Sequence, residues 1–480
     1  MTGALSRIEA RHLARSPLLW LGIVLGAASV APALWSTWPI LAGDDLLASQ
    51  NSLLVGTGAV WAGAWLALRD RTSGAGDLLV VTPTAPWRLW WSRVAALAAV
   101  SAAVFALLFT AVLGISAARG GHGMPDPRLL ADGVLAVVLS GLVGVAIGRS
   151  SASRLVAVLA GVLWYLVCMF AADPGMSPGY RLSPMLMTEG PRSAEFGLLP
   201  DPLWPHLGYL LGLVLVVAVL VVGLTGRGEG QRPPLAPMVV TVVAGLVLAG
   251  AGGIRLVALP ETLVALGPDR AHWRPAAEAD QVQADRSYAY PQDGRARSCA
   301  GDAALSVCVY PAYGTRLARH VHQAVQPAAG LLTGLPGTPT RVRMVPLSVA
   351  WCRAPGEVQI WEQILRDLQP RRTVEAYLTC ALGQSDEPDQ PSSSALDARD
   401  VVKLWALVAS GTITTGELQR ATQGDQIPEL MQTAASPEMA AAALAMVQQP
   451  ADQVRAELGP LWDRLRAGTL SVSQLPGQRQ

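Results

Sequence analysis

Seven runs of apolar residues, each long enough to cross a bilayer, lie before residue 260 and restrict what the chain can fold into. Hydrocarbon about 30 Å thick requires roughly 20 apolar residues of a helix that rises about 1.5 Å per residue. The runs cover residues 17–35, 46–68, 94–117, 129–148, 155–172, 207–224 and 238–259. Lipid offers no partner to a backbone N–H or C=O, so each run is expected to be a helix. Arg7, Arg11 and Arg15 before the first run imitate a signal peptide. Its apolar core is too long for an h-region and no polar segment follows soon, so a retained anchor is expected.

Arginines orient the spans, because positive charge is retained on the cytoplasmic side of short loops. With the N-terminus inside, eleven fall in cytoplasmic segments: Arg7, Arg11, Arg15, Arg69, Arg71, Arg88, Arg93, Arg149, Arg154, Arg227 and Arg232. Four fall outside: Arg119, Arg128, Arg181 and Arg192. Trp87, Trp90 and Trp91 stand where the third span meets the inner headgroups. Seven spans that start inside leave the C-terminus outside, which predicts a multi-pass protein of the plasma membrane with an extracellular C-terminal domain.

The cysteines bear on the same question. Cys168 falls inside the fifth span, where a thiol behaves as a small apolar residue. Cys299, Cys308, Cys352 and Cys380 all follow the last span, and an even number in an oxidising compartment suggests disulfides. Local loops close easily, which favours Cys299–Cys308 and Cys352–Cys380 among the three connectivities. A zinc site competes, but there is no CxxC and no metal is expected.

Three regions result. Residues 1–226 form a six-span unit with a cytoplasmic segment at 69–93. Residues 227–259 are a linker and the seventh span. Residues 260–480 form a domain large enough for its own core. Strand-like runs at 305–310 and 341–348 flank an amphipathic helix at 315–329. Residues 384–397 are polar and rich in Pro and Ser, and read as a loop. Helical spacing of apolar residues marks 398–410, 415–422, 437–447 and 451–467. The fold class expected is mainly α, a polytopic helical membrane protein followed by a helix-rich α+β domain.

The segment 69–93 (RDRTSGAGDLLVVTPTAPWRLWWSR) exceeds what a turn requires. Asp70 and Asp77 oppose Arg69, Arg71, Arg88 and Arg93, around an apolar patch of Leu78, Leu79, Val80 and Val81. Thr82-Pro83 would end one short element and Pro86 would start the next. A short helix along the inner face, with a docking surface for a soluble partner, fits this pattern.

This loop resembles that of the membrane subunits of ABC-2-type exporters. The family's pattern is acidic–basic–x–x–Gly, then acidic–Leu-Leu–x–x–Thr-Pro, then basic residues entering the third span. Asp70, Arg71, Gly74, Asp77, Leu78, Leu79, Thr82, Pro83, Arg88 and Arg93 match it, with Asp70 in place of the commoner glutamate. The amphipathic stretch 5–15 is similar to the family's connecting helix, and the loop 173–206 stands where the family has short re-entrant helices. The resemblance covers residues 1–226. It implies that 69–93 is a coupling helix seated in an ATPase subunit, and that the chain pairs with a second copy of itself or a paralogous permease. No cofactor is expected on this chain; ATP and Mg would be held by the partner.

Other chemistries are excluded on the residues. Lys403 is the only lysine, between Val402 and Leu404, so no Gly-Lys-Ser/Thr phosphate loop exists. The net charge of +1 gives no electrostatic case for nucleic acid. The spans hold almost no ionisable groups, and Asp132 and Arg255, near outer ends, are expected to snorkel or meet headgroups. Active transport would therefore need energy from another protein. Gly175-Met176-Ser177-Pro178-Gly179 fits GxSxG, but Pro178 cannot donate an oxyanion-hole N–H. His12, His122, His206, His272, His320 and His322 form no HExxH, and His320 and His322 fall on different faces of a helix. Gly22–Gly26 and Gly144–Gly148 are GxxxG pairs that permit close helix approach, chiefly within the subunit. The leading expectation is a non-catalytic exporter permease working with lipid around it. The alternatives are a non-transporting sensor or scaffold that presents the C-terminal domain, and an enzyme residing in that domain.

Overall fold

The computed structural model describes residues 2–72, 85–121, 124–151, 153–172, 180–185, 192–193, 197–198, 202–223, 235–259, 264–265, 273–274, 297–310, 313–345, 352, 356–361, 365, 370–384, 398–427 and 436–478. The chain divides into two compact units, residues 1–35 with 39–290, and residues 36–38 with 291–480.

The first unit is helical. An amphipathic helix α1 (Thr2–Ala14) precedes α2 (Pro17–Ser36), α3 (Leu41–Gln50), α4 (Ser52–Thr72), α5 (Pro86–Ala118), α6 (Pro127–Ser150), α7 (Arg154–Ala171), α8 (Leu203–Gly223) and α9 (Leu235–Ala258). Among the described residues, seven helical stretches are long and apolar enough to span, with α3 and α4 together supplying the second as Gly43–Arg69. That span starts earlier than expected because Asp44 and Asp45, which read as a polar boundary, lie inside the helix and are fully buried. Asp44 accepts from the Ile40 N–H at 3.1 Å and from the Ser116 hydroxyl, and Asp45 accepts from the Asp126 N–H at 2.7 Å.

Helix α5 has 33 residues, about 50 Å of helix and more than a bilayer requires. Pro86 begins it at a position where a missing N–H costs nothing. Its surplus lies at this first end, with Trp87, Trp90, Trp91 and Arg93.

Small residues set the packing. A Cβ at Gly144 or Gly148 would overlap the Val60 or Ala64 carbonyl, so both glycines of the second GxxxG pair press α6 against α4. Gly22 meets Gly58 across α2 and α4, and Gly26 meets Val55 and Leu108. The GxxxG pairs are used inside the subunit. Gly245 on α9 faces Gly212, and Gly252 faces Pro205 and Tyr209. The seventh span thus packs on the sixth rather than standing apart. Leu19, Val55, Phe105, Val137, Leu142 and Val221 lie in the core. Outward faces are equally apolar: Val24 on α2, Leu163 on α7 and Val240 on α9 are exposed. Water would not tolerate such faces on one molecule, whereas lipid would. The chain is a multi-pass membrane protein.

Of the segment 173–206, residues 180–185 with a 3-10 turn at Tyr180–Leu182, the two-residue ladder Arg192–Ser193 with Gly197–Leu198, and 202–206 with the start of α8 are described, and no re-entrant helix is among them. Residues 227–234 of the linker and Gly175–Gly179 lie outside the described residues.

The second unit holds a four-stranded sheet, β1 (Ser298–Gly301), β2 (Ser306–Val309), β3 (Arg341–Val345) and β4 (Glu357–Trp361), in the order β1-β2-β3-β4. The first pair is antiparallel and the others parallel. Helix α10 (Gly314–Leu332) makes the β2-to-β3 crossover. Then follow α11 (Pro370–Ala381), α12 (Ala398–Ala409), α13 (Thr415–Ala421), α14 (Pro437–Val447), α15 (Ala451–Leu458) and α16 (Trp462–Arg466). The expected helix at 451–467 is divided by a 3-10 turn at Gly459–Leu461, where Pro460 cannot continue the ladder. Cys299 is bonded to Cys308, its cross-strand partner, and Cys352 to Cys380 on α11, the local pairing expected. Tyr377 and Trp462 fill the core while their polar ends donate to the Pro339 and Pro336 carbonyls at 3.0 and 2.9 Å. Lys403 is also buried and pairs with Asp400 at 3.3 Å.

Candidate functional site

Glu9 is one turn before Leu13 on α1, and the pair faces inward while Arg7, Arg11 and Arg15 face out. Leu13 enters the apolar core, which carries the Glu9 carboxylate in with it. A buried carboxylate needs partners, and two arginines supply them. Arg69, near the end of α4, reaches Oε1 at 2.8 Å and Oε2 at 3.1 Å. Arg93, in α5, reaches Oε1 through its Nε at 3.3 Å. Arg69 and Arg93 are the two ends of the 69–93 segment, so one carboxylate on α1 ties both ends of that segment together.

The electrostatics are asymmetric. Arg93 is 3% exposed and Arg69 35%. Burial works against the Glu9 charge, but the hydrogen bonds and charges of Arg69 and Arg93 outweigh it and hold the carboxyl below the usual carboxylate range. Arg93 also stacks on Trp90 at 4.9 Å, and Arg149 from the end of α6 stacks on the same ring at 4.5 Å. Arg149 then donates to the Val221 carbonyl in the last turn of α8. Five helices, α1, α4, α5, α6 and α8, meet in this one charged and aromatic cluster.

Of the residues matched to the exporter loop, Arg88 is exposed and lies over Trp87 at 5.3 Å, and Arg93 is the buried clamp arginine. Asp70 and Arg71 are in the last turn of α4, with side chains outside the described residues. Gly74, Asp77, Leu78, Leu79, Thr82 and Pro83 lie outside the described residues altogether. Glu9 itself has a sequence signature, the one acid in an amphipathic helix with Arg7 and Arg11 on it and Arg15 just after it.

A second polar node lies at the opposite end of the bundle and corrects an expectation. Asp132 does not snorkel: it is 1% exposed, and its Oδ1 is 2.6 Å from Nδ1 of His206, itself fully buried on α8. His206 Nε2 is 2.9 Å from the Ser183 carbonyl, which can only accept, so Nε2 carries a proton. Tyr209 donates to the Leu182 carbonyl at 3.0 Å, and Arg181 donates to the carbonyls of Leu256 and Leu259. The node pins the 180–185 turn to α6, α8 and α9. Arg255 is exposed near the end of α9. Between the two ends the described spans carry no Asp, Glu, Lys or Arg, so the pair has no relay across the bundle. Among the described residues no cluster of three His, Cys, Asp or Glu side chains could hold a metal. His320 and His322 both lie on α10, the first exposed and the second half-buried, while His122 and His272 are outside the described residues.

Comparison with protein-family models, with curated proteins and with solved structures returned no match.

Proposed function

We propose that the chain is the membrane subunit of an ATP-driven exporter of the ABC-2 type, with the 69–93 segment as the element on which a separate ATPase acts. The observation that carries this reading is the Glu9 clamp. A push on the segment would be felt at both Arg69 and Arg93, and through Glu9 at α1, before it reached the rest of the bundle. A loop that served only topology would have no use for a carboxylate shared by its two ends.

In this reading α1 and the clamp face the cytoplasm, and the His206–Asp132 node and the disulfide-bonded second unit face outward. Two such subunits would enclose the pathway and two ATPases would bind ATP and Mg. Energy has to come from outside the chain, since its one lysine is buried in α12 and no proton relay crosses the described spans. The apolar, weakly charged helices suit a hydrophobic cargo.

Purification of the full chain from its native membrane tests this. A Walker-containing ATPase should accompany it, and charge reversal at Arg71 and Asp77 should release that ATPase while the membrane subunit stays folded. Undiminished partner binding and transport after the reversal would reject the assignment.

A further inference from the structure

The outward face of α7 carries a groove of about 570 Å³. Ile147 of α6 and Val156, Leu159, Leu163, Leu166 and Val167 of α7 line it, and no polar atom does. The one hydrogen-bonding group nearby is turned inward: Trp164 Nε1 donates to Ser140 Oγ at 3.0 Å, and that hydroxyl donates to the Ala136 carbonyl at 2.8 Å. From Val156 to Val167 the groove runs about 16 Å along the helix, the depth of one leaflet of a bilayer about 30 Å thick.

Within α7 itself (Arg154–Ala171), charge is present at one end only. Arg154, the first residue of α7, is exposed and half a turn before Val156. Its guanidinium lies over the Trp65 ring at 5.5 Å and has no carboxylate partner among the described residues. An arginine at the rim of the hydrocarbon, with a dry channel one leaflet deep beginning beside it, complements a molecule with a negative head and one long apolar tail. We infer that this face of α6 and α7 is a binding site for an anionic phospholipid, its phosphate paired with Arg154 and an acyl chain along Val156–Val167. The site does not depend on the transport reading, because it is a property of the membrane unit alone.

Spin-labelled phosphatidylglycerol and phosphatidylcholine, titrated onto the purified full chain in detergent, test the assignment. Phosphatidylglycerol should bind about fivefold more tightly, the gain expected of one arginine near a phosphate. Arg154→Gln should abolish that preference and leave phosphatidylcholine binding unchanged, while Arg154→Lys should retain most of it. Leu163→Trp, which fills the groove from an exposed position, should weaken both lipids at least threefold. Both substituted residues are exposed, and circular dichroism confirms that each variant is folded. Equal binding of the two lipids, or a preference that survives Arg154→Gln, overturns the inference. Displacement of phosphatidylglycerol by millimolar inorganic phosphate also overturns it, because the groove would then contribute nothing. So does a Leu163→Trp variant that dissociates a dimer with lipid binding intact, since a second copy would then own this face.

Discussion

Replacing Glu9 by glutamine would remove the buried carboxylate that Arg93 and Arg69 share, whereas replacing Arg69 would remove a partly exposed partner. Breaking a buried pair from one side costs about 3–5 kcal/mol, and a surface pair contributes about 0–1 kcal/mol. Glu9→Gln should therefore lower stability by about 3 kcal/mol and Arg69→Gln by less than about 1 kcal/mol, as measured by reversible unfolding in mixed micelles. The same carboxylate gives a pH signature. Its folded pKa is depressed, so the stability it adds is fully present above the ordinary carboxylate value of about 4.3 and is lost as pH falls through the lower folded value. The stability gap between the native chain and Glu9→Gln should stay constant from neutral pH to about pH 5 and narrow only below that. A gap that closed near neutral pH would point to a histidine instead.

Helix packing predicts a sharp contrast between two glycines. Gly144→Val would drive a branched side chain into the Val60 carbonyl and force α4 from α6, while Gly114 on α5 has open space around its Cα. Gly144→Val should cost more than about 2 kcal/mol, and Gly114→Ala should be neutral or gain up to about 1 kcal/mol from helix propensity. Equal effects in a thermal unfolding assay would mean that the α4–α6 contact does not support the fold.

These elements also separate what the sequence discloses from what it hides. Apolar length alone locates the spans to within a few residues, because lipid imposes one solution. The second span starts before the apolar run because Asp44 and Asp45 look like a boundary until their buried partners are known, whereas Pro86 marks the start of α5. In the second unit β2, α10, α12, α13 and α14 follow from their own patterns. Strands β1 and β4 and helix α11 carry no such pattern: β1 is a four-residue strand with a half-exposed face, and β4 and α11 take their places from partners elsewhere in the chain. The same holds at the site. The arginines of 69–93 were visible in the chain, but Glu9 is 60 residues from Arg69 and 84 from Arg93, and His206 is 74 from Asp132. No local pattern announces a pair of that kind.

For the molecule as a whole, the cysteines set the redox behaviour. Removing the Cys352–Cys380 bridge by paired serine substitution should destabilise the second unit by about 3.6 kcal/mol, the entropy of closing a 28-residue loop, and leave the membrane unit unchanged. Differential scanning calorimetry should show one shifted transition, and a shift of both would contradict the division into two units. The same bridges keep four cysteines from thiol reagents, and Cys168 is buried, so the native chain supplies an almost silent background for labelling. Cysteines introduced at Ala75, inside the 69–93 segment, and at Gln423, exposed on the second unit, can then be probed in sealed vesicles with a membrane-impermeant maleimide. An ATPase can reach the 69–93 segment only from the compartment that holds ATP. Ala75→Cys should label in inside-out vesicles alone and Gln423→Cys in right-side-out vesicles alone; labelling of Ala75→Cys from the outer face would contradict coupling through that segment.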